Sequence, residues 1–252
     1  YSEKQQENTL IDICIQAQKK VNRLVPEVPF SNIWIAKETA DRIPANSVIH
    51  FGILNSLRSW NFFETPEDVL CYANTGGFGI DGCLSSFLGQ AAATEKPSYL
   101  VIGDLAFFYD MNALRLRHIK SNVHILLINN EGGSEFYFNK IWRNDASDLH
   151  TTARHKTKAE QWVKENDFIY LKAVDKESLD KALNIFMNDN NEKPVFLEVF
   201  TEMRNDSQVL YDFFDLSRPK DPKSEMIRKS KDFLKATVGQ EKVNKIKSLV
   251  KK

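Results

Sequence analysis

Six short apolar runs, none alternating cleanly with polar residues, limit what this chain can fold into. They are Val48-Ile49-His50-Phe51, Val69-Leu70-Cys71-Tyr72, Tyr99-Leu100-Val101-Ile102, His124 to Ile128, Phe168-Ile169-Tyr170-Leu171 and Val195 to Phe200. Each is rich in β-branched or aromatic residues and apolar on both sides of the pleat, so each reads as a strand buried on both faces. Segments with helical spacing separate most of them: Ile80 to Ala93, Met111 to Ile119, Ala159 to Glu165 and Lys176 to Asn188. Strands alternating with helices predict a doubly wound α/β domain, a six-stranded parallel sheet with helices on both faces.

Two further helices are expected ahead of the sheet, over Leu10 to Val25 and Ser31 to Arg42, with Pro26 and Pro29 breaking the chain between them. Beyond Pro219 the chain is lysine-rich. Met226, Ile227, Phe233, Leu234, Val238, Val243, Ile246 and Val250 still recur at helical spacing there, as surface helices do. The expected organisation is helices and a linker over 1–44, the sheet domain over 45–204 and a helical extension over 205–252. The segment from Asn130 to Lys158 is longer than an ordinary connection, a length that goes with function or mobility.

The charge balance narrows the partners. The 34 basic residues equal the 34 acidic ones, so no overall field favours nucleic acid or an anionic membrane. No apolar run approaches the ~18 residues of a membrane-spanning helix, and the opening Tyr1-Ser2-Glu3-Lys4-Gln5 lacks the parts of a signal peptide. Cys14, Cys71 and Cys83 are odd in number and form no CxxC. They are expected to be buried free thiols of a reducing, cytoplasmic compartment.

In doubly wound sheets ligands bind beyond the carboxyl ends of the strands; three strand ends carry polar or glycine-rich sequence, and two of them suggestive chemistry. The run ending at Ile102 leads into Gly103-Asp104-Leu105-Ala106 and then a helix. A glycine permits the sharp turn, the carboxylate can face a cation, and the following amides can face phosphate. Read alone, an aspartate after a strand is more often an ordinary helix cap. Standing at a strand end, it is expected to be exposed, so that its removal costs the fold little. The next run ends in Asn129-Asn130-Glu131-Gly132-Gly133, which is also ordinary turn chemistry. Adjacent parallel strands would bring Asp104 and Asn130 to one edge. A carboxylate, an amide oxygen and a loop carbonyl suit Mg²⁺, which takes a few protein oxygens and completes its shell with phosphate and water.

Taken together, Asn55-Ser56, Gly79-Ile80-Asp81-Gly82, Gly103-Asp104-Leu105, Tyr109 to Leu114 and Asn129 to Gly133 resemble the cofactor-binding blocks of thiamine-diphosphate enzymes. They are most similar to the menaquinone-pathway SEPHCHC synthases, over roughly residues 45 to 200. The resemblance implies thiamine diphosphate and Mg²⁺ as cofactors. Asp104, the Asn130 side chain and the Gly132 carbonyl would ligate the metal, and the Leu105 and Ala106 amides would meet the diphosphate. Asn55 and Ser56 would approach it from a neighbouring loop, and Gly79-Ile80 would carry the apolar wedge that bends the cofactor. It also implies a transferase or decarboxylase acting on a 2-oxo acid, with transfer to an acceptor or protonation to follow. The activating glutamate would come from a pyrimidine-binding domain or subunit in a homo-oligomer. No stretch before residue 45 is long enough for that domain, so the chain is expected to be a piece of a longer protein and inactive alone. The competing reading is a non-enzymatic nucleotide- or anion-binding module on the same fold.

Two positions depart from the family pattern. Arginines that hold substrate carboxylates are expected just after Asn55-Ser56 and just before Gly79-Ile80. Here Trp60 and Thr75 stand there, with Arg58 able to substitute at the first position if the loop shifts. An arginine fork is hard to replace in carboxylate recognition, which points to a different substrate. His118, His124, His150 and His155 lack the spacing of a zinc site. Of these, His150 and His155 lie in the long segment and are candidates for substrate contact.

Overall fold

The computed structural model describes residues 9–23, 27–77, 79–137, 150–217 and 226. Six parallel strands form one sheet: β1 (Val48–Phe51), β2 (Leu70–Ala73), β3 (Ser98–Gly103), β4 (Val123–Asn129), β5 (Ile169–Ala173) and β6 (Val195–Phe200). Their order across the sheet is β2-β1-β3-β4-β6-β5. Every expected strand is present, shifted at most by a residue or two.

Period-two alternation divides the core. Tyr99 and Val101 of β3, with Leu126 and Ile128 of β4, pack into one layer beneath α2 (Asn32–Ala40), α3 (Asn55–Trp60) and α8 (Lys176–Phe186). Leu100, Ile102, Ile125 and Leu127 face the opposite layer, which holds α4 (Cys83–Ala92), α5 (Asp104–Asp110) and α7 (Glu160–Glu165). Both faces are therefore covered, as an all-parallel sheet requires. The remaining helices are α1 (Thr9–Arg23), the single turn α6 (Ser134–Tyr137) and α9 (Met203–Ser217). The chain separates into two compact units, residues 1–213 with the sheet and residues 214–252. The helices expected beyond Pro219 lie outside the described residues, apart from Met226.

Three expectations need correction. The helix expected over Met111 to Ile119 is a 3₁₀ turn, Met111–Arg115, ending at Leu116 in extended backbone. The α-helix itself comes earlier, as α5. Its last residue, Asp110, turns its carboxylate to the Ser85 N–H and hydroxyl in the first turn of α4, both at 2.8 Å. The second strand carries a buried-strand composition, yet β2 is the sheet edge, and Leu70, Cys71, Tyr72 and Ala73 are all exposed. Of the three thiols only Cys83 is buried, while Cys14 on α1 and Cys71 on β2 are exposed. The apolar face of α1 is likewise open, with Leu10, Ile11, Ile13 and Ile15 exposed.

Candidate functional site

The sheet order creates the site. From β1 the chain moves outward to β2, then returns to β3 on the other side of β1. The connection leaving β1 runs to α3 on one face of the sheet, and that leaving β3 runs to α5 on the other. Divergence of this kind opens a crevice at the carboxyl ends of the strands. A cavity of about 130 Å³ occupies it, walled by Ile53 to Ser56 after β1, Gly103 to Ala106 after β3 and Asn130 with Gly132 to Phe136 after β4.

Of the residues singled out from sequence, Asn55, Ser56, Ile80, Gly103, Asp104, Leu105, Ala106, Asn130 and Gly132 all line this cavity. Gly79 does not. Gly103 matters as empty space: a Cβ built there meets no atom within 4 Å, so the glycine leaves room beside the first turn of α5. Gly132 is required for another reason. It holds φ at +147°, and a Cβ there would lie 2.6 Å from the Thr152 carbonyl oxygen and 2.7 Å from the Met203 methyl. Ile80 is half-buried against the core layer under α4 and α5 while facing the cavity.

Asp104 is not the exposed cap its position predicts; it is only 2% exposed. Its Oδ2 accepts the main-chain N–H groups of Asn130 at 3.1 Å and Gly132 at 2.9 Å, which ties the loop after β4 to the end of β3. Its Oδ1 accepts the Leu105 N–H at 2.6 Å. That amide, expected to meet diphosphate, is therefore engaged by the neighbouring carboxylate. His155 brings Nε2 to 3.2 Å from Asp104 Oδ2, although without hydrogen-bond alignment, since that nitrogen has no partner of good geometry. Its Nδ1 accepts the Thr157 N–H at 3.0 Å. His150 is exposed.

Three asparagines line the cavity, and each has a buried polar atom without a hydrogen-bond partner: Asn130 Oδ1, Asn55 Oδ1 and Asn32 Nδ2. Their other ends are fixed. Asn55 Nδ2 donates to Ser134 Oγ at 2.8 Å, joining the loops after β1 and β4 across the crevice. Asn130 Nδ2 donates to Asp206 Oδ2 at 2.9 Å. Asn32 Oδ1 accepts the Ile33 N–H at 2.8 Å. Unsatisfied buried atoms are uncommon in folded proteins and call for a cause; others occur elsewhere in the core, but these three belong to residues that line one space.

Sequence reasoning missed the groups behind the first row. Asp206, fully buried near the start of α9, also accepts the Thr201 hydroxyl at 2.6 Å and the Asn32 N–H at 2.8 Å. Burial pushes its carboxyl up to about 6, against the lowering effect of these three hydrogen bonds, and the like charge of Asp104 adds to the rise. Glu198, fully buried in β6, accepts from Asn129 Nδ2 at 2.7 Å, from the Ala159 N–H at 3.1 Å and from the Tyr170 hydroxyl at 2.7 Å. Asn129 Nδ2 also reaches the Thr157 carbonyl at 2.9 Å. Residues 157–159 are thereby anchored to the sheet, and they steady His155 over Asp104. The Tyr170 phenol is pushed well above its ordinary pKa by burial and then by Glu198. At the rim Arg58 forms an ion pair with Glu135. Trp60 is buried in the core near Phe51, at 6.4 Å between ring centroids, whereas Thr75 is exposed.

Among the described residues, no three His, Cys, Asp or Glu side chains cluster as a metal cage. A set of one carboxylate, one amide oxygen and one carbonyl is of another kind. Among the same residues no helix is long and apolar enough to cross a membrane.

No protein-family profile matches the chain. Single proteins do. Over 191 residues it is 37% identical to a 2-succinyl-5-enolpyruvyl-6-hydroxy-3-cyclohexene-1-carboxylate synthase of Bacteroides fragilis, a match covering 75% of this chain and 34% of that protein. Proteins of the same name from Christiangramia forsetii and Flavobacterium psychrophilum are 34% identical over 210 residues and 31% over 197. Those matches cover 82% and 78% of this chain, and 36% of each relative. The chain thus spans about a third of the length of the curated relatives it matches.

Proposed function

We propose that this chain, a relative of the SEPHCHC synthases, is the diphosphate-binding domain of a thiamine-diphosphate- and Mg²⁺-dependent enzyme that decarboxylates a 2-oxo acid and transfers the remainder. One observation carries the reading. The Asp104 carboxylate and the partnerless Asn130 Oδ1 line the same cavity at the switch point of a doubly wound sheet.

The residues fit the group. Asn130 Oδ1 is a buried acceptor lacking a donor, which a cation would satisfy. Asp104 Oδ1 accepts one hydrogen bond, from Leu105, and the Gly132 carbonyl accepts one, from Ser134 at 3.1 Å. Each oxygen keeps a lone pair for metal. Gly103 offers space where any side chain would intrude, suited to a diphosphate beside α5. When bound, thiamine diphosphate would supply the carbanion chemistry. This chain's part is to hold, orient and exclude water. Asp104, Asn130 and the Gly132 carbonyl would hold the metal, with Asn55, Ser56 and the Ala106 amide about the diphosphate. Ile80 would press on the cofactor from the core layer beneath α4. The pyrimidine-binding half and its activating glutamate would come from the remainder of a longer protein or from a second subunit, in a homo-oligomeric cytoplasmic enzyme.

The acceptor or the 2-oxo acid would differ from that of the relatives' named reaction. A tryptophan buried in the core cannot stand in for an arginine fork, and the nearby Arg58 is already neutralised by Glu135. The test is the thermal midpoint of the chain with thiamine diphosphate, with and without Mg²⁺. A rise that requires both is expected, because a ligand held only by the folded state raises its stability. Equal rises with inorganic phosphate and no metal would favour a plain anion-binding module and defeat this reading.

A further inference from the structure

We infer that Asp206 is a positioning residue for the cation: its carboxylate holds the Asn130 amide in the one orientation that turns its oxygen into the cavity. The inference rests on the metal-binding reading of Asp104 and Asn130.

An asparagine amide has two ends of similar shape and opposite chemistry, so something must choose between them. Two carboxylates hold Asn130, and the choice of amide orientation falls to Asp206. Asp104 Oδ2 takes the main-chain N–H at 3.1 Å, and Asp206 Oδ2 takes the side-chain Nδ2 at 2.9 Å. A carboxylate only accepts. With the amide reversed, two oxygens would meet at hydrogen-bond distance with no proton between them, and an NH₂ would point at the place a cation should occupy. The observed orientation instead leaves Oδ1 buried and partnerless, in a residue that lines the cavity beside Asp104.

Asp206 is itself held so that it cannot turn away. Oδ1 accepts the Asn32 N–H from the start of α2 at 2.8 Å, and Oδ2 accepts the Thr201 hydroxyl from the end of β6 at 2.6 Å. Both faces of the carboxylate are thus occupied by donors. An asparagine at 206 could not serve both. Its NH₂ would oppose either the Asn32 N–H or the Asn130 Nδ2, and the second conflict is relieved by flipping Asn130 and turning nitrogen toward the metal. The exchange has a reciprocal form: Asp206→Asn combined with Asn130→Asp restores a donor facing an acceptor, with a carboxylate oxygen toward the cavity.

The test measures binding of Mn²⁺, as a paramagnetic stand-in for Mg²⁺, to the full chain with thiamine diphosphate, alongside the ligand-free unfolding midpoint. Asp206→Asn is expected to weaken Mn²⁺ roughly 10- to 100-fold, the range for groups that orient metal ligands. The reciprocal double variant should recover most of that loss. A merely structural role predicts the opposite, because a second buried substitution would compound the first. Unaltered Mn²⁺ affinity in Asp206→Asn, or further loss in the double variant, overturns the inference while leaving the metal site standing. Absence of cofactor-linked Mn²⁺ binding in the parent chain defeats the metal site and this inference with it. Should the single variant fail to fold, the parent chain still decides by NMR. The Asn130 side-chain NH₂ must exchange slowly without metal, and exchange as fast as at an exposed asparagine would refute the contact.

Discussion

Replacing Asp104 by alanine should unfold more than a metal site. Its carboxylate is the shared acceptor of three main-chain N–H groups, from Leu105, Asn130 and Gly132. Those of Asn130 and Gly132 are buried, and a buried donor left without an acceptor costs about 1–3 kcal/mol. The Leu105 amide is only partly buried and can turn to water. Removing a buried charge near the like-charged Asp206 offsets part of the loss. We predict a net destabilisation of about 2–4 kcal/mol for Asp104→Ala in the absence of any ligand. Asp104→Asn keeps one acceptor oxygen for the Asn130 and Gly132 amides and should lose about half as much. Urea unfolding in the presence of a chelator, followed by circular dichroism, gives both values. Hydrogen exchange at residues 130 and 132 should accelerate in the alanine variant, because their tie to β3 is gone. If Asp104→Ala unfolds within about 0.5 kcal/mol of the parent, the aspartate is no structural hub.

Three further outcomes are expected. Burial drives the His124 imidazole down to about 4, with the Phe186 carbonyl and Asp189 opposing only in part, and neither ring nitrogen makes a well-formed hydrogen bond. A histidine whose folded pKa lies below its unfolded value of ~6.5 costs nothing above that pH and erodes stability as pH falls toward 4, by about 2 kcal/mol between pH 7 and 5. His124→Phe, which preserves the stack on Tyr99, should remove that part of the acid sensitivity in paired urea titrations, and unchanged pH dependence would count against it. Gly132→Ala should destabilise by about 2 kcal/mol or more, since its φ of +147° and the Thr152 oxygen 2.6 Å from the new Cβ both resist a side chain; a neutral effect on the urea midpoint would contradict the close approach. On the proposed reading, the complete enzyme should carry out the reaction named for its relatives poorly, because a lost buried arginine–carboxylate contact costs about 2–5 kcal/mol; a rate equal to that of those relatives would show that other residues do the work expected of arginines where Trp60 and Thr75 stand.

The sheet was legible because burial on both faces writes itself into single residues. β3, β4 and β6 are apolar at nearly every position, and nothing but a covered strand needs that. β2 carries the same composition and is exposed, since composition records what a strand is able to bury and not what covers it in this chain. At the site, the residues at strand ends could be found because the fold alone dictates where to look. Asp206 and Asn32 could not. They are separated by 174 positions, they meet through one hydrogen bond, and no local pattern surrounds either. Glu198 did leave a trace, as one charged residue inside Val-Phe-Leu-Glu-Val-Phe; a buried charge in an apolar strand has a partner to find.

The paired asparagines at the end of β4 gain a physical reason from these contacts. Side chains alternate along a strand, so Asn129 falls on the layer of Ile125 and Leu127, and Asn130 on the layer of Leu126 and Ile128. Each amide nitrogen meets a fully buried carboxylate on its own side, Glu198 for Asn129 and Asp206 for Asn130. The acceptor-only partner fixes each amide with its oxygen pointing away. Asn129 Oδ1 then takes the Glu131 N–H at 3.3 Å and shapes the turn, while Asn130 Oδ1 is left facing the cavity. An aspartate at either position would set two carboxylates against each other, and a leucine would strand a buried charge. One residue of the pair therefore closes the loop and the other leaves an oxygen free, and only an amide opposite a carboxylate does both.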